Sequence, residues 1–185
     1  PKYLIHTAAL TKPMDINDKK PMTSLTTNIV GTANVVKACH EYAIKLIYIS
    51  TDFIYPPNET ADETSPVNPS NNYGWSKLGG ESSVIMYKNS LILRASITEK
   101  PFVHKVAFVD FKTNFIFHED LVPKIMKVLN CKGVLNVGGK SQSVYNFVKK
   151  YNKKIKKIYA KKLLGHKAPK NISMNIKRFK KLTDD

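Results

Sequence analysis

The sequence is short of several things, and each shortage excludes something. Two of its 185 residues are cysteines, one is tryptophan, and no apolar run approaches the roughly 20 residues that a membrane-spanning helix needs. Cys39 and Cys131 stand alone, without metal-ligand spacing. Neither a disulfide framework nor a zinc site is expected, and both read as thiols of a cytoplasmic protein. His6, His40, His118 and His166 show no ligand spacing either, so no metal is assigned. No charged segment followed by an apolar core and a small-residue cleavage site opens the chain, so no signal peptide is expected.

Negative charge is scarce too. Thirty Lys and Arg face 14 Asp and Glu, for a net charge of +16. From Lys149 to Lys181 there are fourteen basic residues and no acidic one. One reading is a solvated, lysine-rich surface. The other is a field that attracts an anion such as a nucleotide diphosphate. Few aromatics are interleaved and no nucleic-acid motif appears, so DNA or RNA is not an expected partner.

What is present alternates. "KYLIHTAAL" (2–10), "KLIYIST" (45–51) and "SLILRAS" (90–96) are apolar, β-branched runs suited to strands buried on both faces. Between the first two, residues 21–43 carry Leu25, Ile29, Ala33, Val36 and Cys39 at helical spacing. Between the second and third lie a turn-rich loop, 56–72, and a helix at 73–88. Further on, a short strand at 106–109, a helix at 118–130 with Pro123 in its first turn, a strand at 133–139 and a helix at 141–154 are expected. Strand and helix in alternation imply right-handed crossovers and a parallel sheet.

The chemistry collects at one edge of that sheet. "YGWSK" (73–77) puts Tyr73 and Lys77 one helical turn apart on one face. "ISTDFIY" (49–55) brings Ser50, Thr51 and Asp52 to the C-terminal end of a parallel strand, where open α/β sheets bind ligands. Small residues in "HTAALTKP" (6–13) leave another strand at the same edge. Thr51, Tyr73 and Lys77 suit a hydroxyl, a phenol and an ammonium converging on one carbonyl.

"IHTAALTKP", "TTNIVGTANVVKAC", "LIYISTDFIYP", "NPSNNYGWSKLGGE" and "LILRAS", in series, resemble the extended short-chain dehydrogenase/reductases. Within them the chain is most similar to the dTDP-4-dehydrorhamnose reductase-like, sugar-nucleotide branch. The resemblance implies an α/β, doubly wound Rossmann-like core over 1–96 and a smaller α/β substrate-binding portion over 97–185, with some elements returning to the core. It implies an NAD(P)-dependent reductase of a nucleotide-linked 4-keto-6-deoxy sugar, with no choice between NAD and NADP. Tyr73 would donate the proton, its pKa lowered by Lys77 and the cofactor's positive ring. Lys77 would hold the nicotinamide ribose, and Thr51, with Ser50 as second choice, the carbonyl oxygen. Ala8, Ala9 and Leu10 would lie against the cofactor, and Asn28 would support Lys77 through a water. Asp52, Ile97, Phe102 and His104 are the candidate sugar contacts. Ile97 stands where the rhamnose reductases carry a tryptophan, which leaves the sugar open.

The family also opens with a glycine-rich strand–turn–helix that binds pyrophosphate, and no G-x-G-x-x-G is found here. By family length, about 65 to 70 residues, roughly three strands and their helices, would precede Pro1. That leaves open a homodimer, pairing with a chain that supplies this N-terminal half, and, as the alternative to an enzyme, a cofactor-free regulatory or scaffold relative.

Overall fold

A strand sends successive side chains to opposite faces of a sheet, so unbroken apolar runs such as 46–49 and 91–93 put apolar groups on both. Here both faces must then be covered. The computed structural model describes residues 1–11, 14–164 and 169–184. His166 and the end of one quoted stretch, Lys12–Pro13, lie outside the described residues.

In chain order the elements are β1 (Tyr3–His6), α1 (Met14–Lys19), α2 (Pro21–Ser24), a π-helical turn (Leu25–Val30), α3 (Gly31–Glu41), β2 (Lys45–Thr51), a 3₁₀ turn (Asp52–Ile54) and α4 (Asn72–Ile85). There follow β3 (Ser90–Ala95), β4 (Ile97–Thr98), β5 (Val106–Phe108), β6 (Lys112–Thr113), β7 (Ile116–Phe117), α5 (His118–Val128) and β8 (Gly133–Val137). The chain closes with β9 (Gln142–Ser143), α6 (Val144–Lys149), β10 (Lys156–Ile158), α7 (Ala160–Leu164) and α8 (Lys177–Thr183).

The main sheet has the order β1-β2-β3-β8 and is parallel throughout. Leu46, Tyr48 and Ile92 face α3 and α4, packing with Cys39 and Val84. Ile47, Leu91, Leu93, Leu135 and Val137 face the other way, against Leu121, Ile125 and Val128 of α5 and Phe179 of α8. A separate, aromatic-rich core holds the second half together: Phe117, Val144, Phe147, Val148 and Ile155, with Phe102, Phe108, Phe111 and Phe115 beside them. The main sheet takes its fourth strand from beyond residue 96, since β8 lies next to β3.

Several boundaries differ from the sequence expectation. β1 stops at His6, because the backbone of Leu10 bonds to the Asn28 side chain rather than to a neighbouring strand. The last long helix is only Val144–Lys149. Ser143 caps it by accepting from Asn146 N at 3.1 Å. Beyond its end, Lys149, Lys150, Lys153 and Lys154 would repel at i,i+4, and Asn152 instead turns the chain by accepting from Lys154 N at 3.0 Å. α5 begins at His118, so Pro123 falls in its second turn, where its missing N–H removes one helical bond. The 21–41 helix departs from the expected apolar stripe in its first half only: Ser24, Asn28 and Thr32, four residues apart, are buried there while Leu25 is 40% exposed, and in its second half Cys39 is fully buried with Val36 packed beside it, as the spacing predicts. The inner face of this helix is polar where it meets the ends of β1 and β2.

Candidate active site

α4 starts where Asn71 accepts a hydrogen bond from Gly74 N at 2.8 Å, which fixes the helix at its first turn. Tyr73, Lys77 and Glu81 then follow at intervals of four on one face. That face can approach the sheet closely because residue 80 is glycine. A Cβ there would stand 2.5 Å from the Tyr48 hydroxyl and 2.8 Å from Asn28 O, too close for any side chain without a shift.

Thr51, at the last position of β2, lies against the Tyr73 phenol and favours its ionised form, though burial outweighs it. The Thr51 hydroxyl also donates to Asp52 Oδ1 at 3.1 Å and accepts from Phe53 N at 3.3 Å. Asp52 is 3% exposed. Thr113 donates to its other oxygen at 3.5 Å, and Ser96 joins Thr113 at 2.6 Å. Burial pushes the Asp52 pKa up to about 6 against these hydrogen bonds. Burial, with the Asp52 charge behind it, pushes Tyr73 up to about 12. In this structure the phenol is therefore firmly protonated, and Lys77 is not among the groups that lower its pKa. A protonated phenol is the form a proton donor needs.

Lys77 is 3% exposed, and burial brings its pKa down to about 8 while Glu81 pulls it back up. Among the described residues no atom accepts a hydrogen bond from its ammonium. Its neighbour is the Tyr48 ring, with Nζ 4.1 Å from the centroid. Glu81 is held by Arg94, whose Nε and Nη2 donate to Oε1 and Oε2 at 3.2 and 2.9 Å. Arg94 Nη1 donates to Tyr55 Oη at 2.7 Å, and Tyr55 donates to Asn136 Oδ1 at 2.9 Å. One buried polar chain thus ties α4 to β3, the loop after β2, and β8.

Asn28 sits in the π-helical turn and is fully buried. Its Oδ1 accepts from Leu10 N at 2.7 Å, and its Nδ2 donates to Leu10 O at 3.2 Å and to Ser76 Oγ at 2.8 Å. Asn28 thereby braces the segment after β1, where Ala8 is exposed and Ala9 and Leu10 are half-buried, against α4. π-Helical turns recur at functional sites because they re-aim side chains.

The remaining candidates scatter. Ser50, 4% exposed, has a buried hydroxyl with no partner. Ile97 pairs with Ile116 and packs on the main core. Phe102 belongs to the aromatic core, and His104 lies exposed with its ring 5.3 Å from that of Phe102. Neither has a hydrogen bond or ring contact with Tyr73 among the described residues. The lone Ser50 hydroxyl, the Lys77 ammonium without an acceptor and the braced 8–10 segment suit the ribose and nicotinamide end of a dinucleotide. For its pyrophosphate the sequence offers no G-x-G-x-x-G turn. No group of three or more His, Cys, Asp or Glu among the described residues could hold a metal ion. No described helix is long and apolar enough to cross a membrane.

The sequence reading does not single out Tyr48, Ser76, Glu81 or Arg94. Glu81 carries a signal, since it continues the four-residue spacing of Tyr73 and Lys77. Tyr48, Ser76 and Arg94 carry none, because their roles depend on which strand and helix meet.

The pattern of the RmlD substrate binding domain family matches residues 1–106. The chain belongs to this family. A dTDP-4-dehydrorhamnose reductase of Mycolicibacterium smegmatis is 38% identical over 91 residues, covering 46% of this chain and 27% of the relative. A dTDP-D-glucose 4,6-dehydratase of Dictyostelium discoideum is 29% identical over 161 residues, covering 78% of this chain and 35% of the relative. The chain thus spans about a third or less of the length of these curated relatives. Among solved structures, dTDP-4-dehydrorhamnose reductase from Bacillus anthracis, in complex with NADP, superposes with a TM-score of 0.86 at 25% identity, covering 97% of this chain and 73% of that one. The family member is thus a Rossmann-like α/β chain with a parallel sheet, related to nicotinamide-dependent enzymes of dTDP-sugar metabolism.

Proposed function

We propose that the chain carries the proton-donating end of an NAD(P)-dependent reductase acting on a nucleotide-linked 4-keto-6-deoxy sugar, in cytoplasmic nucleotide-sugar biosynthesis. The observation that carries this reading is the placement of the Tyr73 phenol beside Thr51 at the end of β2, with Lys77 one turn along the same helix face and its ammonium lacking an acceptor among the described residues. The nicotinamide cofactor supplies the hydride that reaches C4 of the sugar. Thr51 holds the carbonyl oxygen, and Tyr73 gives that oxygen its proton as the C=O bond becomes an alcohol. Lys77 would hold the ribose hydroxyls of the cofactor. Ser50 and the backbone of Ala8, Ala9 and Leu10, braced by Asn28, line the cofactor.

Asp52, buried behind Thr51, accepts the hydrogen bond of the Thr51 hydroxyl before the sugar binds, and that hydroxyl then turns to the carbonyl oxygen. Ile97, at the start of β4, and Phe102 and His104, on the loop after it, are the sugar contacts offered by the portion from 97 to 185. The pyrophosphate requires a glycine-rich turn, and no G-x-G-x-x-G is found in these 185 residues, so this stretch by itself is expected to bind NADH and NADPH more weakly than micromolar. The test is reduction of dTDP-4-dehydrorhamnose at millimolar cofactor by the wild-type chain and by Tyr73→Phe. Loss of the phenol is expected to lower the rate about 100-fold or more. Equal rates would sink the proposal and leave the scaffold reading.

A further inference from the structure

A buried ammonium normally finds a carboxylate or a carbonyl, because losing its water without a partner is costly. Lys77 finds neither among the described residues. It faces an aromatic ring instead, 4.1 Å from its Nζ. That ring belongs to Tyr48, which is fully buried. Tyr48 cannot swing aside. Its hydroxyl donates to Lys77 O at 3.3 Å and lies against Thr32, and Gly80 closes over it. Tyr48 and Lys77 therefore hold each other at both ends, hydroxyl to backbone and ring face to ammonium.

The other charged or titratable groups around the pair are few. His6, from β1, lies with its ring 5.6 Å from that of Tyr48, and its pKa is lowered by burial and then by Lys77. On α4, Tyr73 and Glu81 stand one turn to either side, and Arg94 of β3 occupies the Glu81 carboxylate. Among the described residues the anion acting on Lys77 is thus already paired, and the ring face is the direct contact of the ammonium.

We infer that Tyr48 is a positioning residue whose ring face seats the Lys77 ammonium and favours its charged form. This rests on the reading of Lys77 as the lysine that holds the cofactor ribose, a task that needs a charged donor fixed in place. A desolvated cation over an aromatic face is among the stronger contacts of this kind. It also avoids a carboxylate partner, whose lone pairs would compete with the ribose hydroxyls for the same N–H donors.

The ring face can be weakened without changing its shape. Tyr48→Phe removes the hydroxyl and is the reference, and mono- and trifluorinated phenylalanine at the same position then withdraw electron density from the face while nearly keeping its size. In the chain without ligand, the Lys77 pKa is read by NMR of isotopically labelled lysine, with the signal assigned by its loss in Lys77→Met. The expected result is a stepwise fall with fluorination, of about 1 pH unit in total. Thermal melts of the series show that the fold is kept, since a purely structural role would move the melt and not the titration. A Lys77 pKa that stays flat across the series overturns the inference. That outcome leaves the Tyr73→Phe comparison untouched, and equal turnover in that comparison leaves the titration untouched, so the two failures are separable.

Discussion

The two halves of the chain handle charge in opposite ways. Around α4 the polar groups are buried and, with few exceptions, matched: Asn28 with Leu10 and Ser76, Glu81 with Arg94, Arg94 with Tyr55, Tyr55 with Asn136. In the stretch from Lys149 to Lys181 the charge is larger but lies mostly on the surface, where Lys149, Lys150, Lys153, Lys154, Lys156 and Lys157 are exposed. A buried polar group must have its partner, so it fixes where two elements meet. An exposed lysine is satisfied by water in any arrangement and fixes little. The count of charges therefore points to one end of the molecule, and the specificity lies at the other.

The contrast can be broken most sharply at Arg94. Arg94→Met strands Glu81 as a buried carboxylate and is expected to destabilise the chain by about 3–5 kcal/mol in a urea melt. Lys153→Gln, on the exposed side, is expected to stay within about 0.5 kcal/mol. Comparable losses from the two would erase the distinction.

Asp52 gives the next largest effect, with a sign that follows from its pKa. Its folded value is raised to about 6 from 3.8, so the folded state holds the proton more tightly than the unfolded state. The stability contribution is full below the unfolded pKa and is lost as pH rises through the folded one. Between about pH 4 and pH 6 the chain should lose up to about 3 kcal/mol from this group, and Asp52→Asn should flatten that part of the stability curve. A wild-type curve that rises across the same window would contradict the burial of Asp52 as the governing cause.

Much of the fold was legible in the residues, and the reason is physical. β2 carries β-branched and aromatic residues at Ile47, Tyr48, Ile49 and Thr51 and is buried on both faces, so Lys45–Thr51 could be read to the residue. The Tyr73–Lys77 spacing survives because it needs only a helix. The polar stripe Ser24, Asn28, Thr32 was hidden, because an apolar stripe beside it, Leu25 and Ile29, has the same period and the π-helical turn shifts which one faces inward. The raised Tyr73 pKa was hidden as well. Sequence shows the lysine one turn away, while burial and the charge of Asp52, which oppose ionisation, appear only when the strand end and the helix are brought together. For the same reason nothing in the sequence marks the Tyr48 ring as the seat of Lys77.

The central claim is that Thr51 and Tyr73 serve the same carbonyl oxygen. A double-mutant cycle on the rate of 4-keto sugar reduction, with Thr51→Val, Tyr73→Phe and the pair, tests it most directly. Residues acting as a unit should give a double mutant barely slower than Tyr73→Phe alone. Losses that simply multiply would show two independent roles and contradict the account.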